Sequence, residues 1–371
     1  KKRGFNVKIF TEIGAPVVYA EKLGRNNKTL LFYNHYDVQP VEPLELWDSD
    51  PFDLVRKDEK LFARGVSDDK GQIISRIAAI DSLLHENDLL PCNIKFVIEG
   101  EEEVSSKNLK PFVEQNIDLL RSDACVWEFG GVDDFDQPIL YLGLRGICYV
   151  ELSVKTANQD VHSGLGGSIF PNAAWRLIWA LNSLKDQDEN ILIHDFYSDV
   201  IPPSEVDIAL FKQIPNMGEI YKKRYDIKQF INGLQDGVDL NIAEAFLPTC
   251  TICGVTSGYQ GDGSKTVLPA KASAKIDFRL VPDQTPERVL KLLRDHLDNQ
   301  GFEDVEITFL GGEAPARTDP ADPFVKLVVE SATSVYGMPM MMVPMVGGSG
   351  PNHIFIEKLN VPVVTAGVSY P

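Results

Sequence analysis

The sequence predicts an α/β fold in two parts: a discontinuous domain with a mixed or parallel sheet flanked by helices, and an α+β domain inserted into it. Three observations point there. Short apolar runs alternate with helical periodicity from Val17 to Trp127, strand-rich sequence follows from Ile139, and the first rhythm returns after Asp319. A chain of 371 residues also exceeds the length at which one hydrophobic core usually stops growing.

Val17–Ala20 and Leu30–Tyr33 are apolar enough to be strands, and Ile73, Ile74, Ile77, Ala78, Ile80, Leu83 and Leu84 recur at helical spacing. A strand at Ile94–Ile98, a polar helix near Leu109–Leu120 and a strand at Ala124–Trp127 continue the alternation. From Ile139 the expected order is two strands, Ile139–Leu142 and Cys148–Val154, a helix near Ala173–Leu184, and a polar stretch to about residue 245. Strands Thr249–Val255 and Ala272–Leu280, a helix Pro286–His296 and a strand Val305–Phe309 follow, making two βαβ-like halves. The helix Phe324–Tyr336 and the strands Met340–Val343 and Val361–Ala366 restore the first rhythm. Residues 1–146 and 318–371 are therefore expected to form one domain, and residues 147–317 the insertion.

Lysine and arginine number 36 against 54 aspartates and glutamates, a net charge of −18 with no basic stretch. Such a chain repels phosphate backbones, so no nucleic-acid partner is expected. No apolar run approaches the roughly 20 residues of a membrane-spanning helix, so no membrane span is expected either. Five cysteines scattered at 92, 125, 148, 250 and 253 do not resemble a disulfide framework and indicate a reducing compartment, the cytoplasm. The chain starts at Lys1 without a methionine and stops just after an apolar run, so both ends are expected to be cut.

Four clusters carry chemistry. Asn34-His35-Tyr36-Asp37-Val38 follows the strand Leu30–Tyr33, at the carboxyl end where open α/β sheets bind ligands. His35 and Asp37 would point the same way off an extended chain, so Asp37 could orient a metal-bound His35; a capping pair at a turn is the alternative. Arg64-Gly65-Val66-Ser67-Asp68-Asp69-Lys70-Gly71 places Asp68 just ahead of a helix, as an N-cap or as a ligand. Glu99-Gly100-Glu101-Glu102-Glu103 sets four carboxylates after an apolar strand. Their repulsion is relieved if a cation sits among them, and a neighbouring glutamate is then available as a general base. Glu128 ends the strand Ala124–Trp127. Imidazole and carboxylates converging at one sheet edge suit zinc, manganese or cobalt.

Three other patterns fail. Gly258-Tyr259-Gln260-Gly261-Asp262-Gly263-Ser264-Lys265-Thr266 approaches a phosphate loop, but Ser264 separates the glycine from the lysine. Cys250 and Cys253 have no second pair with which to form a zinc knuckle. No Gly-x-Ser-x-Gly elbow occurs, which weakens a serine-hydrolase reading.

His35-Tyr36-Asp37-Val38-Gln39-Pro40, the Arg64–Gly71 segment, Glu102-Glu103 and Asp160-Val161-His162-Ser163-Gly164, in that order, resemble a family of co-catalytic metallopeptidases. It comprises aminoacylase, succinyl-diaminopimelate desuccinylase, glutamate carboxypeptidase and the cytosolic nonspecific dipeptidases. Gly143-Leu144-Arg145-Gly146-Ile147-Cys148-Tyr149 and Arg279-Leu280-Val281-Pro282 resemble its dipeptidase branch. The resemblance implies two divalent ions, zinc first with manganese or cobalt as alternatives. His35 and Glu128 would hold one, Glu103 the other, and Asp68 would bridge them. Asp37 is implied behind His35, Glu102 as the general base, and a cis peptide bond at Asp68-Asp69.

The same resemblance makes the insertion a lid and dimerisation domain of a homodimer, with His162 reaching the partner subunit's site to polarise the scissile carbonyl. Thr266, Arg279, Gly348 and Ser349 are implied around the substrate carboxylate, Arg279 because a guanidinium matches it bidentately. The family's last ligand is a histidine downstream of the Val363–Tyr370 segment, beyond this chain's end; His353 lies in a different context, at the start of a helix after Gly350-Pro351. The expected activity is hydrolysis of amide bonds in small peptides, dipeptidase- or carboxypeptidase-like. The alternatives are deacylation of N-acyl amino acids, or a noncatalytic binding protein or inactive truncated chain.

Overall fold

Strands Ala124–Trp127 and Val363–Thr365 are buried along their whole length, as expected of parallel strands covered on both faces. They lie centrally in a mixed sheet ordered Asn6–Phe10, Val17–Lys22, Asn93–Glu99, Thr29–His35, Ala124–Trp127, Val363–Thr365, Pro138–Tyr141, Met341–Val343, with Gly131–Val132 paired to Pro138–Tyr141. The computed structural model describes residues 1–133 and 135–370, so Pro371 of the expected first domain lies outside them. Thr29–His35 runs parallel to both Asn93–Glu99 and Ala124–Trp127, and Ala124–Trp127 runs parallel to Val363–Thr365. Their carboxyl ends consequently share one edge, where His35 pairs in register with Glu99.

By contacts the chain divides into two units. The first comprises Lys1–Leu144, Ala316–Val346 and the chain from Gly350 onward; the second comprises Arg145–Pro315 and Gly347–Ser349. Within the first, Tyr33 stacks on Trp127 with ring centroids 4.0 Å apart, and Phe355 meets both rings edge-on. This aromatic group backs the sheet edge that carries His35 and Glu128.

The second unit holds an antiparallel sheet ordered Thr249–Ser257, Lys271–Leu280, Gly146–Lys155, Glu306–Glu313. Cys148, Val150, Leu152 and Val154 alternate inward from one central strand, and Ala274, Ile276, Phe278 and Leu280 from the other. Two helices cover that face. Ala173–Leu184 contributes Ala173, Leu177, Ala180 and Leu184, and Pro286–Asn299 contributes Val289, Leu293 and Leu297, all at helical spacing. The α/β and α+β classes are thus those the sequence predicts.

Two expectations need correction. The helix expected over 109–120 breaks into Leu109–Gln115 and Ile117–Leu120, because Asn116 leaves helical geometry at φ −123°, ψ 24° and bonds its side chain back to the Phe112 carbonyl. The stretch expected to be polar to about 245 contains helices Glu205–Phe211, Gly218–Tyr225 and Val238–Phe246. Phe211 and Phe246 pack edge-to-face at 5.9 Å, and Ser204 with Asp207 closes a capping box. Among the described residues, no helix is long and apolar enough to cross a membrane.

Candidate metal centre

His35 ends its strand fully buried. Its Nδ1 faces Asp37, 3.3 Å from Oδ1, and its Nε2 lies 2.7 Å from Asp68 Oδ1. Asp37 also accepts the backbone N–H groups of Glu102 at 3.3 Å and Glu103 at 3.0 Å. A single carboxylate thereby sets the imidazole plane and anchors the Glu102–Val104 turn, leaving Nε2 directed at the carboxylates.

Asp68 sits in a wide turn, Val66–Lys70, that leads into the helix Gly71–Glu86. It does not cap that helix: the cap position is Lys70, and no side chain bonds there. Asp68 is instead extended, at φ −129° and ψ 94°, and followed by a cis peptide bond to Asp69, as the resemblance implies. Gly65 opens the turn at φ +80°, where a Cβ would come within 2.7 Å of Val38. Asp69 points the other way, into the protein, and accepts from Asn34 Nδ2 at 2.6 Å and the His35 N–H at 3.1 Å.

The glutamate run separates by contact. Glu99 is buried and accepts from the hydroxyls of Tyr33 at 2.6 Å and Ser106 at 2.8 Å. Glu101 accepts from the Ala15 N–H and Asn108 Nδ2, so its carboxylate is engaged away from the others. Glu103 accepts from Gln39 N and Nε2. Glu102 has its carboxylate with His35 and Glu128: the ligand atoms of these three lie within 4.8 Å of one another, as do those of His35, Asp68 and Glu103. Two groups of potential ligands thus share His35. They join the proposed general base to the proposed ligands, a closeness the sequence does not disclose.

The electrostatics of this cluster call for a cation. Burial, together with the charge of Glu102, pushes the Glu128 carboxyl well above its ordinary value, and Glu128 Oε2 is buried without a hydrogen-bond partner. Burial likewise drives Glu102 up to about 7, with Asp68, Glu103 and Glu99 adding to it against His35. Burial alone would lower His35, but the Asp68 hydrogen bond and the charges of Glu128 and Glu102 outweigh it and raise the imidazole to about 10. One imidazole among four carboxylates, with an orphaned oxygen, fits a pair of divalent ions of the zinc, manganese or cobalt type.

The remaining sequence-predicted residues belong to the second unit. His162 lies in the short strand Val161–His162, paired with Val267–Leu268. Its Nδ1 accepts the Gly164 N–H at 3.1 Å, which leaves the proton on Nε2, 3.0 Å from the Thr266 hydroxyl. Arg279 donates from Nη1 to Ser349 Oγ at 2.9 Å, and Ser349 donates to the Gly146 carbonyl. Gly348 offers its carbonyl to the Arg145 N–H at 3.0 Å. Arg145 is buried and donates to the carbonyls of Glu244 and Leu247. Its position in the quoted Gly143–Tyr149 motif is the one sequence signal for it.

A family model for peptidase family M20/M25/M40 matches residues 31–369. An M20 family metallo-carboxypeptidase from Sulfolobus solfataricus superposes with a TM-score of 0.93 at 38% identity, covering 98% of this chain and 82% of that one. The dipeptidase Dug1p from Saccharomyces cerevisiae superposes at 0.83 with 27% identity, covering 98% and 80%. The Beta-Ala-His dipeptidase of Rattus norvegicus is 32% identical over 295 residues, 76% of this chain and 58% of that protein. The chain thus spans less than two thirds of that relative's length. With its donors gathered beyond three strand ends and in the turn ahead of a helix, and with the match running through both units, this chain belongs to peptidase family M20/M25/M40.

Proposed function

We propose that the protein is a metal-dependent hydrolase of amide bonds in small peptides that carry a free carboxylate. The observation that carries this reading is the convergence of His35, Asp68, Glu102, Glu103 and Glu128 in two ligand groups at one sheet edge. His35, Asp68, Glu103 and Glu128 would hold two divalent ions, zinc first. When bound, these supply Lewis acidity toward a water and toward the scissile carbonyl. Glu102, next to that group and raised toward neutrality by burial, takes the proton of the attacking water and returns it to the leaving amine. Asp37 keeps the imidazole of His35 and the Glu102–Glu103 backbone in place.

In this reading the protein is a homodimer formed through the second unit. The partner subunit's His162 donates its Nε2 proton to the carbonyl oxygen as negative charge develops there. The helix Ala173–Leu184 supports the pairing: it buries one face and leaves Trp175, Ile178 and Trp179 exposed by 55%, 46% and 55%. Arg279, Ser349, Gly348 and Thr266 receive the substrate carboxylate, with Arg279 already aimed at Ser349. The five free cysteines support a reducing, cytoplasmic location.

The relatives' names, a Beta-Ala-His dipeptidase and a metallo-carboxypeptidase, favour peptides over N-acyl amino acids. The test is a panel of dipeptides and N-acetyl amino acids assayed before and after chelation. Chelator-sensitive turnover of dipeptides is expected; turnover confined to N-acetyl amino acids would make the protein a deacylase, and turnover of neither would remove the catalytic reading.

A further inference from the structure

Arg76 belongs to the helix Gly71–Glu86, yet the residue is only 7% exposed and its guanidinium serves the sheet edge rather than solvent. Nη1 donates to the Tyr33 carbonyl at 2.9 Å and to Asn34 Oδ1 at 2.6 Å. Nη2 donates to the carbonyls of Trp127 at 2.5 Å and Glu128 at 3.1 Å. Asn34 is fully buried and passes the contact on, donating from Nδ2 to Asp69 Oδ2, the oxygen that also accepts the His35 N–H. The amide has one orientation that works, since a guanidinium can only donate and a carboxylate only accept.

Every one of these bonds ends on a ligand residue or within two residues of one. Tyr33 and Asn34 precede His35, Trp127 precedes Glu128, and Asp69 follows Asp68. Two strand ends and the turn before the helix, three segments far apart in sequence, are tied to one cation through one amide. An apolar side chain would fill the same space without giving up the hydration of a guanidinium, so burying a charge here needs a reason other than packing.

We propose that Arg76 and Asn34 are positioning residues that hold His35, Asp68 and Glu128 at ligand spacing before metal arrives. The inference rests on reading the cluster as a metal centre. Arg76 supplies the planar fork that reaches both strand ends at once, which a lysine ammonium lacks. Asn34 couples that fork to the turn bearing Asp68.

The experiment titrates metal-free, full-length protein with zinc against a chromophoric chelator, alongside thermal unfolding of the metal-free forms and the kinetics of the loaded forms. Asn34→Ala and Arg76→Lys are expected to remain folded and to bind zinc about 10–100-fold more weakly, the range typical when partners behind metal ligands are removed. Arg76→Met should lose more than Arg76→Lys, and kcat should fall with little change in KM. Leu109→Ala, a buried core truncation that removes none of these hydrogen bonds, should lower the unfolding midpoint but leave zinc affinity unchanged. If Arg76→Lys and Asn34→Ala bind zinc like the wild type, or lose no more affinity than Leu109→Ala, the positioning role is overturned. A wild-type protein that takes up no zinc, manganese or cobalt would overturn the metal reading itself and this inference with it.

Discussion

Asp37 Oδ2 accepts the backbone N–H of Glu103 at 3.0 Å, while the other oxygen of the same carboxylate faces the imidazole of His35. One acid therefore aligns the imidazole and fixes the turn that presents both Glu102 and Glu103. Asp37→Ala is expected to lower metal affinity and kcat about 10–100-fold, because the ring loses its partner and the turn its anchor. Equilibrium dialysis and steady-state kinetics check this; a variant with wild-type values would overturn both roles of Asp37.

Glu102 and Glu101 are neighbours with opposite fates. Glu101 is held by Ala15 and Asn108, whereas Glu102 shares a group with His35 and Glu128. Glu102→Gln should retain its metal and lose roughly 10²–10⁴-fold in kcat, the usual contribution of a general base. Glu101→Gln should turn over near the wild-type rate. The reverse result in the same assay would move the base to Glu101.

Metal uptake should depend on pH with a definite sign. In the metal-free protein the Asp68 hydrogen bond and the neighbouring carboxylates outweigh the opposing effect of burial and raise His35 to about 10, while burial raises the Glu128 carboxyl. Both shifts favour the protonated forms, and protons held at the cluster must leave before a cation is held. Proton competition weakens as pH rises, so apparent affinity should climb from roughly pH 6 to 9, with proton release seen as a buffer-dependent heat in calorimetry. Uptake at constant affinity without proton release would contradict the electrostatics of the cluster.

His162 offers a complementation test of the dimer. His162→Ala and Glu102→Ala are each expected to be nearly inactive. Random exchange of subunits in an equal mixture should restore about a quarter of wild-type activity, since half the dimers are hybrids with one intact site of two. A mixture with verified exchange that stays inactive would place His162 outside the partner's reaction.

Much of this architecture is legible along the chain because it depends on local pattern. Ala124–Trp127 carries no charge and is buried on both faces, and the alternation of Cys148, Val150, Leu152 and Val154 declares a strand covered on one face. Gly218–Tyr225 is illegible for the opposite reason: it carries Glu219, Lys222, Lys223 and Arg224 and buries only Gly218. The potential ligands stand out because each follows an apolar strand or precedes a helix, but contact alone separates Asp68 the potential ligand from Asp68 the cap. Arg76 sits among Ile73, Ile77 and Ile80 and reads as the polar face of a helix. Its partners Asn34 and Trp127 are 42 and 51 residues away, and only strand pairing brings them together.

In the proposed function this chain's own cluster holds the metal that makes it a hydrolase. The most direct measurement is metal content per chain by elemental analysis of the purified protein, paired with dipeptide hydrolysis before chelation, after it, and after metal is restored. The prediction is about two equivalents of zinc, or of manganese or cobalt, falling to less than half in Asp68→Ala, with activity lost on chelation and regained on reloading. A chain that binds no metal, or that hydrolyses peptides undiminished after complete chelation, would contradict it.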